Sequence, residues 1–290
     1  MSSSKYSLQE LQVVTAAKEI KDSEIVLAGI GFPLLGTILA LMTHAPNSIV
    51  AMEGGGIGCR PRRLVCGVGA NAINEDAILS TSLWELFSDM QRGYFDVGMI
   101  GGAQVDKYGN LNSSAIFGSG GDYYHIKRRL PGSGGANDIA TSCQRTLITM
   151  KLQKRAFAEQ IDFITSPGYL TGGNSRKRAG LPTGGPSAII TDKCVFRFDP
   201  DSKEAYLDSL HPGVTVEEVI AEVSWTLKVS PNLKFTQEPS EEELRIVRLL
   251  DSKQVFLGKG IGYLNFEEYI SMLSDNVETI EALYHERVLN

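Results

Sequence analysis

The chain has 290 residues, 42% hydrophobic and 21% charged, enough to bury a sizeable core in one large domain or two small ones. A formal net charge of −6 argues against a nucleic-acid footprint, which calls for a basic domain, but leaves room for an anionic substrate at a local basic patch. No run of about 18 apolar residues occurs, so no membrane span is expected, and the N-terminus lacks the apolar stretch of a signal peptide.

Ser7-Leu8-Gln9-Glu10 reads as a capping box that opens a helix through about Ile20. Glu24 to Gly29 reads as a buried strand, and Gly31-Phe32-Pro33 starts a second helix with proline in its first turn. Ile49 to Met52 is the next strand. Strand, helix, strand is the pattern of a parallel sheet. Glu75 to Arg92 carries Ile78, Leu83, Leu86 and Met90 on one helical face. Phe95 to Ile100, Arg145 to Met150 and Ile161 to Thr165 read as further strands. Ala188 to Thr191, Val195 to Phe198 and Ala205 to Leu207 lie too close together for crossovers and fit antiparallel strands. Val214 to Val223 is a short helix, and the acidic run Glu241-Glu242-Glu243 starts another. The expectation is an α/β fold: an open, mostly parallel sheet with flanking helices and some antiparallel strands in the C-terminal half. Residues 1–255 form the main domain and 256–290 a helical extension.

Glu53 closes the strand Ile49–Met52 and runs into Gly54-Gly55-Gly56-Ile57-Gly58. A carboxylate at the C-terminal end of a buried strand lies where open α/β sheets place their ligand crevices. The glycines remove side chains, so a substrate is expected to approach the backbone there. Such a carboxylate serves as a nucleophile, a base, or a metal or sugar ligand, but position alone favours the plainer reading of a solvated or salt-bridged residue.

Several motifs fail. Gly29-Ile30-Gly31 lacks the third glycine of a dinucleotide fingerprint, because Leu34 stands there. No phosphate loop and no G-x-S-x-G elbow occur. His44, His125, His211 and His285 are isolated, and Cys59, Cys66, Cys143 and Cys194 form no C-x-x-C pair. No metal site or disulfide framework is expected, and reduced structural cysteines fit a cytoplasmic protein.

Two glycine-rich segments remain. Gly101-Gly102-Ala103-Gln104-Val105-Asp106 through Asn112 follows a strand, and Gly132-Ser133-Gly134-Gly135-Ala136 leads into a helix, where backbone N–H groups can hold developing negative charge. Together with Glu53 these segments resemble the β subunit of the family I CoA-transferases, the glutaconate CoA-transferase branch above all, over roughly residues 5 to 255. The family's D-x-x-G-N-x-N turn is matched by Asp106, Gly109, Asn110 and Asn112, and its G-x-G-G-A segment by Gly132, Gly134, Gly135 and Ala136. Gly121-Asp122-Tyr123-Tyr124-His125 and Thr165-Ser166-Pro167-Gly168 are similar to the glutaconate branch.

The resemblance implies an enzyme that moves CoA between an acyl-CoA and a carboxylic or dicarboxylic acid, with ping-pong kinetics and a glutamyl-CoA thioester on Glu53. Gly134, Gly135, Ala136 and Asn112 are then the expected oxyanion and CoA-binding groups. No bound cofactor is implied; CoA thioesters are substrates. The expected partner is an α-type subunit in a hetero-oligomer. Lys127-Arg128-Arg129 is read as a solvated surface or a subunit contact, with a CoA phosphate or substrate carboxylate as the sharper reading. The rivals are a ring-opening acyl-CoA hydrolase or a decarboxylase on the same scaffold, His211-Pro212-Gly213 being similar to the hydrolase branch, and a non-catalytic subunit.

Overall fold

The structure is a computed structural model that describes residues 5–118, 120–181 and 183–288. It opens with α1 (Leu8–Ala17), capped as expected: Ser7 N–H donates to Glu10 Oε2 at 2.7 Å, and Glu10 N–H donates to Ser7 Oγ at 3.2 Å. β1 (Ile25–Ala28), α2 (Phe32–Leu41) and β2 (Ile49–Met52) form a strand–helix–strand unit. β1 and β2 pair in parallel, Ile25 opposite Ile49 and Ala28 opposite Met52. Gly36 lets α2 lie close to α1, since a Cβ there would stand 3.4 Å from Ala16 Cβ.

The chain then departs from expectation. The segment from Glu75 is no continuous helix: β3 (Gly56–Ile57) and β4 (Leu79–Ser80) extend β2 as an antiparallel ribbon, and α3 covers only Leu83–Gln91. The physical reason is competition from the ribbon and from a cap. Leu79 and Ser80 spend their backbone on Gly56 and Ile57, while Glu85 accepts from Ser82 N–H and from both the Thr81 and Ser82 hydroxyls. Those bonds hold the Glu85 carboxyl down at about 2.

β5 (Val97–Ile100) is followed by two small hairpins, β6 (Gln104–Val105) with β7 (Leu111–Asn112), and β8 (Ala115–Ile116) with β9 (Arg128–Arg129). Next come α4 (Ala136–Ser142), β10 (Arg145–Thr149) and α5 (Ser175–Arg178). The strands β11 (Pro186–Ile190), β12 (Cys194–Phe198) and β13 (Ala205–Leu210) follow, then α6 (Val216–Ala221) and β14 (Lys228–Phe235). The strand order here is β5–β10–β11–β12–β13–β14. β10 runs parallel to β11, and β12 is antiparallel to both its neighbours, as the short turns predict. The apolar run from Ile161 to Thr165 is not a strand; Phe163 and Ile164 are exposed, and Thr165 and Ser166 bond instead to Leu111.

α7 (Glu241–Leu250) starts on a Ser240–Glu243 capping box. The C-terminal segment forms two helices, α8 (Phe266–Ser274) and α9 (Val277–Arg287). The chain divides into two compact units: Met1–Asp89 with Phe95–Val97 and Gln237–Asn290, and Met90–Tyr94 with Gly98–Thr236. Residues past 255 thus belong to the first unit. Tyr284, 2% exposed, donates its hydroxyl to Pro61 O at 3.2 Å, and Arg62 pairs with Glu281 at 3.0 Å. In the same unit Arg248 Nε donates to Glu10 Oε1 at 2.6 Å, tying α7 to α1.

Candidate active site

Glu53 lies half-buried in the turn that leaves the C-terminal end of β2, in the first unit. Gly55 N–H closes that turn on Met52 O at 2.9 Å. The glycines that follow have a different use from the one expected. Protein, rather than open space, fills the volume their side chains would occupy. A Cβ on Gly54 would stand 2.3 Å from Val68 O, on Gly55 2.0 Å from Thr81 O, and on Gly56 2.0 Å from Ile73 O. Gly55 also sits at φ +104°, which other residues rarely adopt. Thr81 N–H donates back to Gly55 O at 2.9 Å. The glycine run is therefore a place of close backbone approach that pins the Glu53 turn against residues 68–81.

Gly134, Gly135, Ala136 and Asn112 all lie in the second unit. Gly132, at φ +103°, donates its N–H to Ser113 O at 2.8 Å; Gly134 turns at φ +50°; Gly135 is the N-cap of α4. Ala136 N–H is already given to Ser133 O at 2.9 Å, so among the expected oxyanion donors it closes the turn. Among the described residues no acceptor takes the Gly134 N–H. α4 rests flush on β5, because a Cβ on Gly98 would stand 2.2 Å from Ile139 Cγ2 and 2.9 Å from Cys143 Sγ.

Asn112 is fully buried, and its amide is committed within the unit. Nδ2 donates to Gln104 Oε1 and to Ala115 O, both at 2.7 Å, and Oδ1 accepts from Ser114 N–H at 2.9 Å. The segment so held offers Ser113 O to Gly132 and Ser114 O to Leu130. The geometry gives Asn112 a positioning part, one hydrogen bond removed from the glycine segment.

The D-x-x-G-N-x-N turn and Thr165–Gly168, separate in the sequence, meet. Asp106 Oδ1 accepts from Tyr108 and Asn110 N–H, and Asn110 Oδ1 accepts from Gly168 and Leu170 N–H. Burial pushes the Asp106 carboxyl upward against the pull of these bonds. Arg176, 4% exposed, joins the same assembly. Its guanidinium donates to Pro167 O, Gly168 O, Ala140 O, Thr183 O and Thr183 Oγ1, at 2.7 to 3.0 Å. It thereby links α4 to the Pro167–Gly168 turn. Nothing in Ser175-Arg176-Lys177-Arg178 marks it: a basic run reads as a solvated face, and its burial follows only from the tertiary fold.

His211 is a core residue of the second unit. Nδ1 accepts from Thr236 Oγ1 at 2.8 Å and Nε2 donates to Thr191 O at 2.9 Å, the tautomer that a carbonyl partner requires. Burial lowers its pKa to about 4. The unfolded chain takes up this proton near 6.5 and the folded chain only near 4. Stability from this group is therefore complete above about pH 6.5, falls as the pH drops toward about 4, and levels off below. The full window is worth about 3 kcal/mol. Urea midpoints of wild type and His211→Asn, compared between neutral and acidic pH, should show a shallower acid loss in the variant; parallel loss would contradict this origin. Two of the cysteines are poor nucleophiles: Cys59 and Cys194 are buried and pushed up to about 12, and burial also raises the half-buried Cys66 thiol. No group of three or more His, Cys, Asp or Glu is placed to hold a metal among the described residues, and no helix there is long and apolar enough to cross a membrane.

Comparison with known proteins gives a consistent picture. The coenzyme A transferase family matches residues 10–222. The chain is 40% identical over 251 residues to the B-type chain of 3-oxoadipate CoA-transferase from Pseudomonas knackmussii, covering 86% of this chain and 95% of that one. It is 35% identical over 262 residues to the B-type chain of glutaconate CoA-transferase from Acidaminococcus fermentans, covering 87% and 95%. The crystal structure of glutaconate coenzyme A-transferase from Acidaminococcus fermentans superposes with a TM-score of 0.81 at 33% identity, over 88% of this chain and 98% of that one.

Proposed function

This chain belongs to the coenzyme A transferase family, and from that premise we propose that, paired with an α-type subunit, it moves CoA between an acyl-CoA and a dicarboxylic acid through a glutamyl-CoA thioester on Glu53. The position of Glu53 carries the reading: a carboxylate at a strand end, on a turn pinned by close backbone approaches. A Glu53 oxygen attacks the thioester carbonyl carbon. The tetrahedral oxyanion collapses, the C–S bond breaks, and CoA leaves as thiolate with an acyl-glutamyl anhydride behind it. The thiolate then attacks the glutamyl carbonyl, the anhydride C–O bond breaks, and the first acid departs as carboxylate. The acceptor acid runs these steps in reverse. No net proton is moved, so no histidine base is required, and only a carboxylate can form each activated intermediate.

Each addition places negative charge on an oxygen. The Gly134 N–H suits that role, with Gly135 beside it, while Ala136 and Asn112 hold the segment in shape. Loss of one such donor costs about 3 kcal/mol of transition-state stabilisation. The relatives are named for 3-oxoadipate and glutaconate, both dicarboxylic acids, which supports a substrate of that class. The free thiols fit a cytoplasmic setting.

The test uses the chain co-expressed with its α-type partner. Succinyl-CoA is supplied with and without glutaconate or 3-oxoadipate, and thioesters are separated by chromatography. The expected result is a new acyl-CoA formed only with acceptor, with parallel double-reciprocal lines. Consumption of the thioester at the same rate without acceptor would sink the reading in favour of hydrolysis.

A further inference from the structure

α9 lies outside residues 10–222, the stretch that the family match covers. It nevertheless reaches the Glu53 turn through a short chain of contacts, all within the first unit. Ile280, Leu283 and Tyr284 are its buried face, at helical spacing. The Tyr284 hydroxyl donates to Pro61 O at 3.2 Å, and Glu281 pairs with Arg62 at 3.0 Å. The residues on either side of Pro61 are bonded onward to Glu75. Arg60 N–H donates to Glu75 O at 2.9 Å, and Arg62 N–H to Glu75 Oε2 at 2.7 Å. Arg63 pairs with the same carboxylate at 2.7 Å. Two residues before Glu75, Ile73 meets the glycines. Its carbonyl oxygen stands 2.0 Å from the place of a Cβ on Gly56, and its Cδ1 2.0 Å from the place of a Cβ on Gly54. Cys59, two residues before Pro61, puts its Sγ 2.6 Å from that same Gly56 position.

The chain between β2 and α3 has little regular structure to fix its own place. β3 has two residues, β4 has two, and between them lies a single 3-10 turn, Asn71–Asn74. Such a segment stands where its packing partners hold it, and α9 is the helix it rests on. The far end of α9 is itself anchored, Arg287 donating to Met42 O at the end of α2 at 3.2 Å. Burial pushes the Tyr284 phenol upward, so it stays protonated and keeps donating. We propose that Tyr284 is a positioning residue for the reaction: through it α9 holds residues 59–75 against Gly54–Gly56 and so fixes the Glu53 carboxylate for attack. The proposal rests on the reading of Glu53 as the nucleophile and gives the C-terminal helix a part in it. A displacement of the attacking group by about 1 Å is enough to slow a reaction about a hundredfold.

The test compares Tyr284→Ala and Tyr284→Phe in the α–β complex by turnover and by amide hydrogen exchange. Tyr284→Ala should lower kcat about thirtyfold, with the KM of both substrates within about twofold of wild type. Tyr284→Phe keeps the ring and loses only the hydroxyl, and should recover most of the rate, to about threefold below wild type. The rate is taken per folded complex, so a mere loss of stability, which lowers the folded fraction, does not register in it. Arg248→Ala loses bonds to Glu10 and Lys5 in the same unit, and should leave kcat within about twofold. The N–H groups of Gly55, Gly58 and Thr81 bond to Met52 O, Val50 O and Gly55 O. They should exchange about tenfold faster in Tyr284→Ala, while those of β12 keep the wild-type rate. Unchanged exchange at the turn overturns the proposal, and so does faster exchange with kcat unchanged in both variants. If Tyr284→Ala does not assemble, an unchanged kcat in Tyr284→Phe overturns it. Exchange at the turn does not depend on the chemistry of Glu53, and failure of that reading shows separately, as full activity in Glu53→Ala.

Discussion

Replacing Glu53 with alanine should lower CoA transfer by about ten-thousand-fold or more, with little change in thermal stability. The size follows from the role: the carboxylate is consumed and regenerated in every turnover, and removing a covalent nucleophile leaves only binding and oxyanion stabilisation. The small effect on stability follows from position, since Glu53 is half-buried in a turn whose shape is set by backbone contacts of Gly54, Gly55 and Gly56. Glu53→Gln should be as inactive as alanine at first, because an amide is a poor nucleophile. Glu53→Asp keeps the chemistry but withdraws the oxygen by about 1 Å, and should lose about a hundredfold. Steady-state rates of the co-expressed complex, with melting temperatures alongside, check all three. Glu53→Ala activity within about tenfold of wild type would remove the residue from the chemistry.

Replacing Arg176 with alanine should destabilise the protein by about 3 to 5 kcal/mol. Its five hydrogen bonds go to neutral oxygens of Ala140, Pro167, Gly168 and Thr183, in a place where water does not reach. Truncation leaves buried carbonyls without donors and opens a cavity beneath α4. Burial also draws the Arg176 pKa downward from its ordinary value, which identifies desolvation of the cation as a cost the hydrogen bonds offset. Arg176→Lys should fall between, since an ammonium has three donors at most and no planar fork. Urea unfolding of the complex measures the loss. A change below about 1 kcal/mol for Arg176→Ala would mean that neighbouring groups repack and that the guanidinium is not what joins α4 to the Pro167–Gly168 turn.

Much of the fold could be read before the structure. Ser7–Glu10 forms the capping box that its spacing predicts, and α7 starts at the acidic run Glu241-Glu242-Glu243 as read, because both signals are local and need no tertiary contact. Glu53 stands at a strand end for the same kind of reason: the apolar run before it is short, buried and broken by glycine. What was missed is tertiary. β3 and β4 have two residues each, too few for any period to show, and they turn the start of a helical-looking segment into a ribbon. β14 carries Pro231 and is largely exposed, so it lacks the apolar alternation of a recognisable strand. Ile161–Thr165 has the composition of a strand but gives its last residues to Leu111. The use of Gly54–Gly56 as contact points and the burial of Arg176 depend on which distant backbone arrives beside them, which local pattern does not encode. At the candidate site, Glu53 and the glycine segment were legible as motifs, whereas the internal commitment of Asn112 and Ala136 was not.

The account stands most directly on the fate of Glu53 during turnover. The α–β complex is incubated with an acyl-CoA in the absence of acceptor, quenched in acid, digested and mapped by mass. The account predicts that the peptide carrying Glu53 gains the mass of CoA less water, and that the Glu53→Ala complex shows no such gain. Steady consumption of the acyl-CoA with no adduct on that peptide would contradict it.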